Sequence, residues 1–204
     1  MHISDGILDA RWCAAGYAAA VPLVAWSLRT LDRDAIPRVS VMGAAFFVAS
    51  LVHFPVGATS VHVTLIGLTG LLLGGQATLA ILTGLFFQAV MFQHGGLTTL
   101  GLNVFTMGVA ALLCHRLFLL ARRLVGDKRA CLSVAGGMVS GTGVLVAAVT
   151  VSVVLWVSSP EYAGIAAAFS VANAVVALVE GVATAFIVDQ VLRVKPELLI
   201  SHGH

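Results

Sequence analysis

Met1 and His2 place three nitrogens within two residues: the α-amine, the amide nitrogen of His2 and its imidazole Nδ1, which close two small rings on one metal ion. One further imidazole completes a four-nitrogen plane suited to Ni²⁺, Cu²⁺ or low-spin Co²⁺. His62, closing Val56-Gly57-Ala58-Thr59-Ser60-Val61-His62, is the leading source of it. Pro55 and Gly57 break the apolar pattern and Thr59-Ser60 supply cap hydroxyls, so His62 is expected in the first turn of a helix. His53 reads as a helix-terminal histidine beside the site or an alternative ligand. His94, in Gln93-His94-Gly95-Gly96, reads as a loop histidine that orients or gates it. The bland alternatives are a disordered tail for His2 and a hydrogen-bonded bundle histidine for His62.

These histidines need elements to hold them, and Asp5-Gly6 is a turn signal that lets the first residues fold back between helices. Ordering such a tail costs on the order of 1 kcal/mol per residue or more, which metal bonds could offset. The stretch before the first apolar run carries Asp5 and Asp9 and no Lys or Arg, unlike a secretory leader, so the chain is expected to keep Met1. Ala18-Ala19-Ala20 is the competing cleavage signal.

With 59% hydrophobic and 10% charged residues over 204 positions and a mean hydropathy of +1.03, the composition excludes an ordinary soluble domain. A net charge of +2 with dispersed Lys and Arg argues against a nucleic-acid surface. Cys13, Cys114 and Cys131 lack metal or redox spacing and read as small apolar filler. Seven apolar stretches are predicted as spans, over 12–31, 39–54, 61–74, 77–92, 102–125, 131–157 and 163–194, the second to fourth short enough to need tilting or buried loops. The expected fold class is an all-α integral membrane protein, about seven transmembrane helices in a single bundle. With the N-terminus outside, ten of the eleven basic residues fall in the cytoplasm and only Arg11 outside, as the positive-inside rule requires. His2, His53, His62 and His94 then share the outer end. One domain is expected over 1–204: a chelating segment 1–11, a bundle 12–194 and a cytoplasmic tail 195–204.

Gln88, Asn103, Asn173 and Glu180 lie inside apolar spans and need partners, interhelical hydrogen bonds by default. Glu180 must stay protonated or meet a cation, and is read as influencing proton release or helix docking. No Gly-x-x-x-x-Gly-Lys-Ser/Thr loop occurs, so the chain itself is not expected to hydrolyse ATP.

The blocks Met1-His2-Ile3-Ser4-Asp5-Gly6, His53-Phe54-Pro55-Val56-Gly57-Ala58-Thr59-Ser60-Val61-His62 and His94-Gly95-Gly96-Leu97-Thr98-Thr99-Leu100-Gly101-Leu102-Asn103 resemble the CbiM/NikM family over nearly the whole chain. These are the substrate-capture components of energy-coupling factor transporters for cobalt and nickel. The resemblance implies a square-planar site made by Met1 (amine), His2 (amide and imidazole) and His62; His53, Ser60, His94 and Asn103 are read as candidates for the shell around it. It further implies Ni²⁺ or Co²⁺ as transported substrate, no organic cofactor and no enzymatic reaction. The implied partners are a transmembrane coupling subunit, two cytoplasmic ATPases and a small accessory membrane subunit in the cytoplasmic membrane. Asn173-Ala174-Val175 departs from the family pattern before Glu180-Gly181. The alternative from another class is a haem-binding membrane electron carrier, which needs two histidines on facing helices at one depth. A hydrolase using Ser60 or Ser140 is weaker, since no base is spaced beside either.

Overall fold

In hydrocarbon a backbone satisfies its own polar groups only as a helix or a closed barrel, and the long apolar runs here are helical. The computed structural model describes residues 2–56 and 59–200, with 54–56, 59, 60 and 200 given by their backbone alone. The helices are α1 (Ala10–Arg29), α2 (Ile36–Ser50), α3 (Ile66–Leu73), α4 (Ala77–Phe92), α5 (Leu100–Val125), α6 (Arg129–Ser158), α7 (Ala163–Val194) and the short α8 (Glu197–Ile200). Each of the seven expected spans overlaps one of α1 to α7. Among the described residues, four segments are long and apolar enough to cross a bilayer: Ile66–Phe92, Leu100–Val125, Arg129–Ser158 and Pro160–Val194. The chain is a helical membrane protein. Within Ile66–Phe92 the helix breaks at Gly74, whose φ of +54° suits glycine, and α3 and α4 pack against each other.

The all-helical expectation needs a correction at one end, where three short strands form a sheet of order β1-β3-β2: β1 (His2–Ile3), β2 (His53–Val56) and β3 (Thr59–His62). Both flanking strands pair antiparallel with β3, His2 opposite Ser60 and His53 opposite His62. His62 therefore ends a strand instead of opening a helix. The helix that follows starts at Ile66 after Leu65, with no side-chain cap. His53 likewise starts a strand, since α2 has already ended at Ser50. The alternating, β-branched Thr59-Ser60-Val61-His62 suits a strand, and both edges of β3 find backbone partners, which outweighs the cap signal.

Short α3 is the wedge of the bundle, and every residue in it except Leu72 is buried. A Cβ on Gly70 would lie 2.1 Å from the Ala111 carbonyl oxygen of α5, so only glycine permits that approach. On its other side Gly67 meets Ser140 of α6 equally closely. At the end away from the sheet, Ser27 donates to the Gly75 carbonyl at 2.6 Å and Gln76 to that of Thr30 at 2.9 Å. Asp189 of α7 there bridges Arg129 and Arg193 at 2.9 and 3.0 Å. At the sheet end the N-terminal segment meets the loop after α4, and the Tyr162 hydroxyl donates to the Ile7 carbonyl at 3.5 Å.

Candidate metal site

Strand β1 is too short to hold itself, so its position is set by what grips it. β3 pairs one edge. Asn103 of α5 grips the other like a neighbouring strand: its Oδ1 accepts from the Ile3 amide at 2.9 Å and its Nδ2 donates to the Ile3 carbonyl at 3.0 Å. Thr99 donates to the same carbonyl at 2.7 Å. Ile3 itself is fully buried in the main core cluster.

The next turn is fixed by Asp5. Its carboxylate accepts from the amides of Leu97 at 3.1 Å, Thr98 at 3.0 Å and Thr99 at 3.4 Å, and from the Thr98 hydroxyl at 2.5 Å. An anion at the amides leading into α5 is favoured by the helix end as well as by the bonds. The Asp5 amide donates to the Gly95 carbonyl at 3.0 Å. Gly95 has φ +77°, and a Cβ there would come within 2.8 Å of the His2 ring. Protein contacts thus offset the ordering cost of the tail that the sequence assigned to metal bonds.

The result is a buried pair of imidazoles. His2 is 1% and His62 2% exposed, and His62 Nε2 lies 3.0 Å from His2 Nδ1. His62 Nδ1 is 2.9 Å from the Val63 carbonyl oxygen, which can only accept, so this nitrogen carries the proton and Nε2 presents its lone pair. His2 Nδ1–H then donates to it in the metal-free chain. Burial pushes His2 down to about 3, with the neighbouring His94 and His53 adding to the effect. Burial also takes His62 to about 4, against the opposing bond to Val63 and with His94 as a lesser cause. Both rings are therefore neutral at physiological pH, the state a metal ligand needs.

Behind His62, Glu180 of α7 clamps the link to α3. One of its carboxylate oxygens accepts from the Thr64 amide and, at 2.8 Å, from the Thr64 hydroxyl, and both residues are fully buried. The residue that fixes the His62 tautomer, Val63, lies between the clamped Thr64 and His62.

Of the expected site residues, the structure brings His2, His62, His53 and His94 together; the His53 and His94 ring centroids are 3.6 Å apart and those of His2 and His94 6.1 Å. Asn103 is present through its grip on Ile3. Met1 lies outside the described residues, and Ser60 is described only as the β3 residue opposite His2. Among the described residues Asn173 makes no interhelical bond: its Nδ2 donates to Phe169 of its own helix at 2.8 Å. The Gln88 side chain has no hydrogen-bond partner among the described residues. The reading missed the carboxylate of Asp5, whose signal was an acidic residue ahead of an unmatched Thr-Thr helix start.

A family model described as the cobalt uptake substrate-specific transmembrane region, CbiM, matches residues 2–198. The chain belongs to the CbiM family. A relative from Haemophilus influenzae named for metal transport is 41% identical over 118 residues, 58% of this chain and 57% of its own length. The cobalt transport protein CbiM of Geobacter sulfurreducens is 33% identical over 216 residues, covering all of this chain and 62% of its own. This chain spans about three fifths of those two relatives. A solved structure described as a transition metal transporter superposes with a TM-score of 0.78 at 25% identity, over 97% of this chain and 95% of that one. The CbiM resemblance read from the three sequence blocks is thereby established across the chain.

Proposed function

We propose that this CbiM-family chain captures Ni²⁺ or Co²⁺ outside the cytoplasmic membrane and passes it to an ATP-driven coupling module for import. The ligands are the Met1 amine, the amide and Nδ1 of His2, and Nε2 of His62. The observation that carries this reading is the 3.0 Å between His2 Nδ1 and His62 Nε2. Two nitrogens bound cis to one ion through bonds of about 2.0–2.1 Å lie about 2.9 Å apart, and trans ones about 4.1 Å. The pair therefore has the spacing of one edge of a square. Chelation by consecutive main-chain nitrogens puts the amide beside Nδ1 and leaves His62 to close the plane opposite the amide. In this reading the ion takes the place of the proton between the two rings, and His2 stays neutral by carrying that proton on Nε2.

A planar, strong-field nitrogen set favours Ni²⁺ among the two ions on physical grounds, while the family description names cobalt. The seven-span topology with the sheet end outside follows from the arginine and lysine distribution. Delivery requires a membrane coupling subunit, two cytoplasmic ATPases and a small accessory membrane subunit. The site holds the ion without bond chemistry, which makes the chain a transporter subunit and not an enzyme.

The haem reading required facing histidines at one depth. His62 lies beyond the start of α3, whereas His115 packs at Gly74, just past its end. The decisive experiment adds two residues ahead of Met1 and measures Ni²⁺ and Co²⁺ binding by calorimetry. The extension converts the amine into an amide and is expected to abolish binding; wild-type affinity in the extended protein would overturn the site.

A further inference from the structure

The sheet register places more than two histidines on one surface. Alternate strand residues face the same way, so positions 60 and 62 of β3 share a face with their cross-strand partners, His2 and His53. His94 reaches the same place from the loop after α4, its ring against that of His53 and edge-on to that of His2. The four rings form a gradient of burial. His2 and His62 are sealed at 1% and 2% exposure, while His53 and His94 are only partly covered. His53 Nδ1 donates to the Leu51 carbonyl at 3.0 Å, which leaves its Nε2 as a lone-pair donor.

An aqueous divalent ion cannot enter a sealed pair with its water shell intact, and stripping that shell before any ligand replaces it is costly. Imidazoles at the rim replace water stepwise, and they suit the same ions as the inner pair. We propose that His53 and His94 form an outer contact for the divalent ion, from which it is handed to His2 and His62. This rests on the metal-capture reading above.

A waystation lowers the barrier between free and bound states without altering either, so its loss slows entry and exit equally. The test uses the full chain in detergent, rapid mixing with Ni²⁺, absorbance of the planar Ni²⁺ complex as readout, and chelator competition for release. In the double variant His53→Ala/His94→Ala, association and dissociation rate constants are both expected to fall at least about ten-fold. The Kd is expected to stay within about two-fold. His53→Gln/His94→Gln, which keeps polar bulk at both positions, is expected to behave alike and serves if the alanine variant does not fold. Unchanged rates overturn the outer contact, as does a Kd weakened through faster dissociation alone, which would make these rings supports of the bound state. Wild-type protein that binds no Ni²⁺ overturns the capture site and the outer contact together, a result distinct from normal wild-type binding with unaltered variant rates.

Discussion

Two pairs of histidines lie on one end of this molecule, drawn from one small sheet and the loop after α4, yet their surroundings give them different chemistry. The inner pair is sealed, its tautomers fixed by the Val63 carbonyl and by the bond between the rings, and burial keeps it neutral far below the usual imidazole range. The outer pair is partly exposed; burial and the neighbouring His53 lower His94 from its ordinary value. Residue type alone does not make a ligand. What separates the pairs is the scaffold behind them: Asn103, Thr99 and Asp5 behind His2, and Glu180 behind His62.

The sharpest way to break this contrast is truncation. His2→Ala and His62→Ala each remove a bond of the proposed plane and are expected to weaken Ni²⁺ binding by more than about 1000-fold in calorimetry, beyond the loss typical of supporting residues. His53→Ala and His94→Ala, measured at equilibrium, are expected to change affinity by no more than about two-fold. Equal losses at all four positions would mean that the contrast is false.

Protons give the next largest effect. Between about pH 7 and 5 the buried imidazoles are already neutral, so binding releases only the protons of the amine, with an ordinary pKa of about 7.7–8.0, and the amide. Affinity should fall about 100-fold per pH unit, two protons per ion, with no steepening at the usual histidine value. Calorimetry in buffers of different ionisation enthalpy counts them, and four protons at pH 5.5 would show that the inner rings are not held neutral. The same depression acts on the metal-free fold. The unfolded chain protonates both rings below 6.5 while the folded chain resists until about 3 and 4, so stability declines as pH falls through that window.

The candidate histidines were legible because their signals are local: Met1-His2 offers three nitrogens without any fold, and breaks in the apolar pattern marked His53, His62 and His94. The sheet was not. β3 is four residues long, and its β1 partner is two residues long and lies more than fifty positions away, so neither carries a periodic signal. Two four-residue runs around Gly57-Ala58 did carry a hairpin pattern, with His53 and His62 falling opposite each other, but the Pro-Gly break and the hydroxyl pair also fit a helix start. Buried polar residues such as Asn103 and Glu180 announced that they needed partners. Which partners depended on how α5 and α7 pack against the sheet end, information no single stretch contains.

The scaffold residues test whether support, rather than ligation, distinguishes the inner pair. Asn103→Ala leaves the Ile3 amide without a side-chain partner and its carbonyl with Thr99 alone, which loosens one edge of β1. An affinity loss of about 10- to 100-fold is expected, the range for residues that orient ligands. Wild-type affinity in that variant would show that pairing with β3 suffices to hold His2.

The smallest effect belongs to Glu180, which acts one step further back. Glu180→Ala removes the acceptor for both the Thr64 amide and hydroxyl, leaving a buried N–H unpaired and loosening the segment that carries Val63. About a ten-fold loss of Ni²⁺ affinity is expected, together with a shift in the absorbance of the planar complex as His62 Nε2 loses its fixed direction. Glu180→Gln keeps an oxygen acceptor at the same place and should restore both. If glutamine fails where alanine fails, charge and not geometry is what α7 contributes, and the clamp on Thr64 is not how Glu180 serves the inner pair.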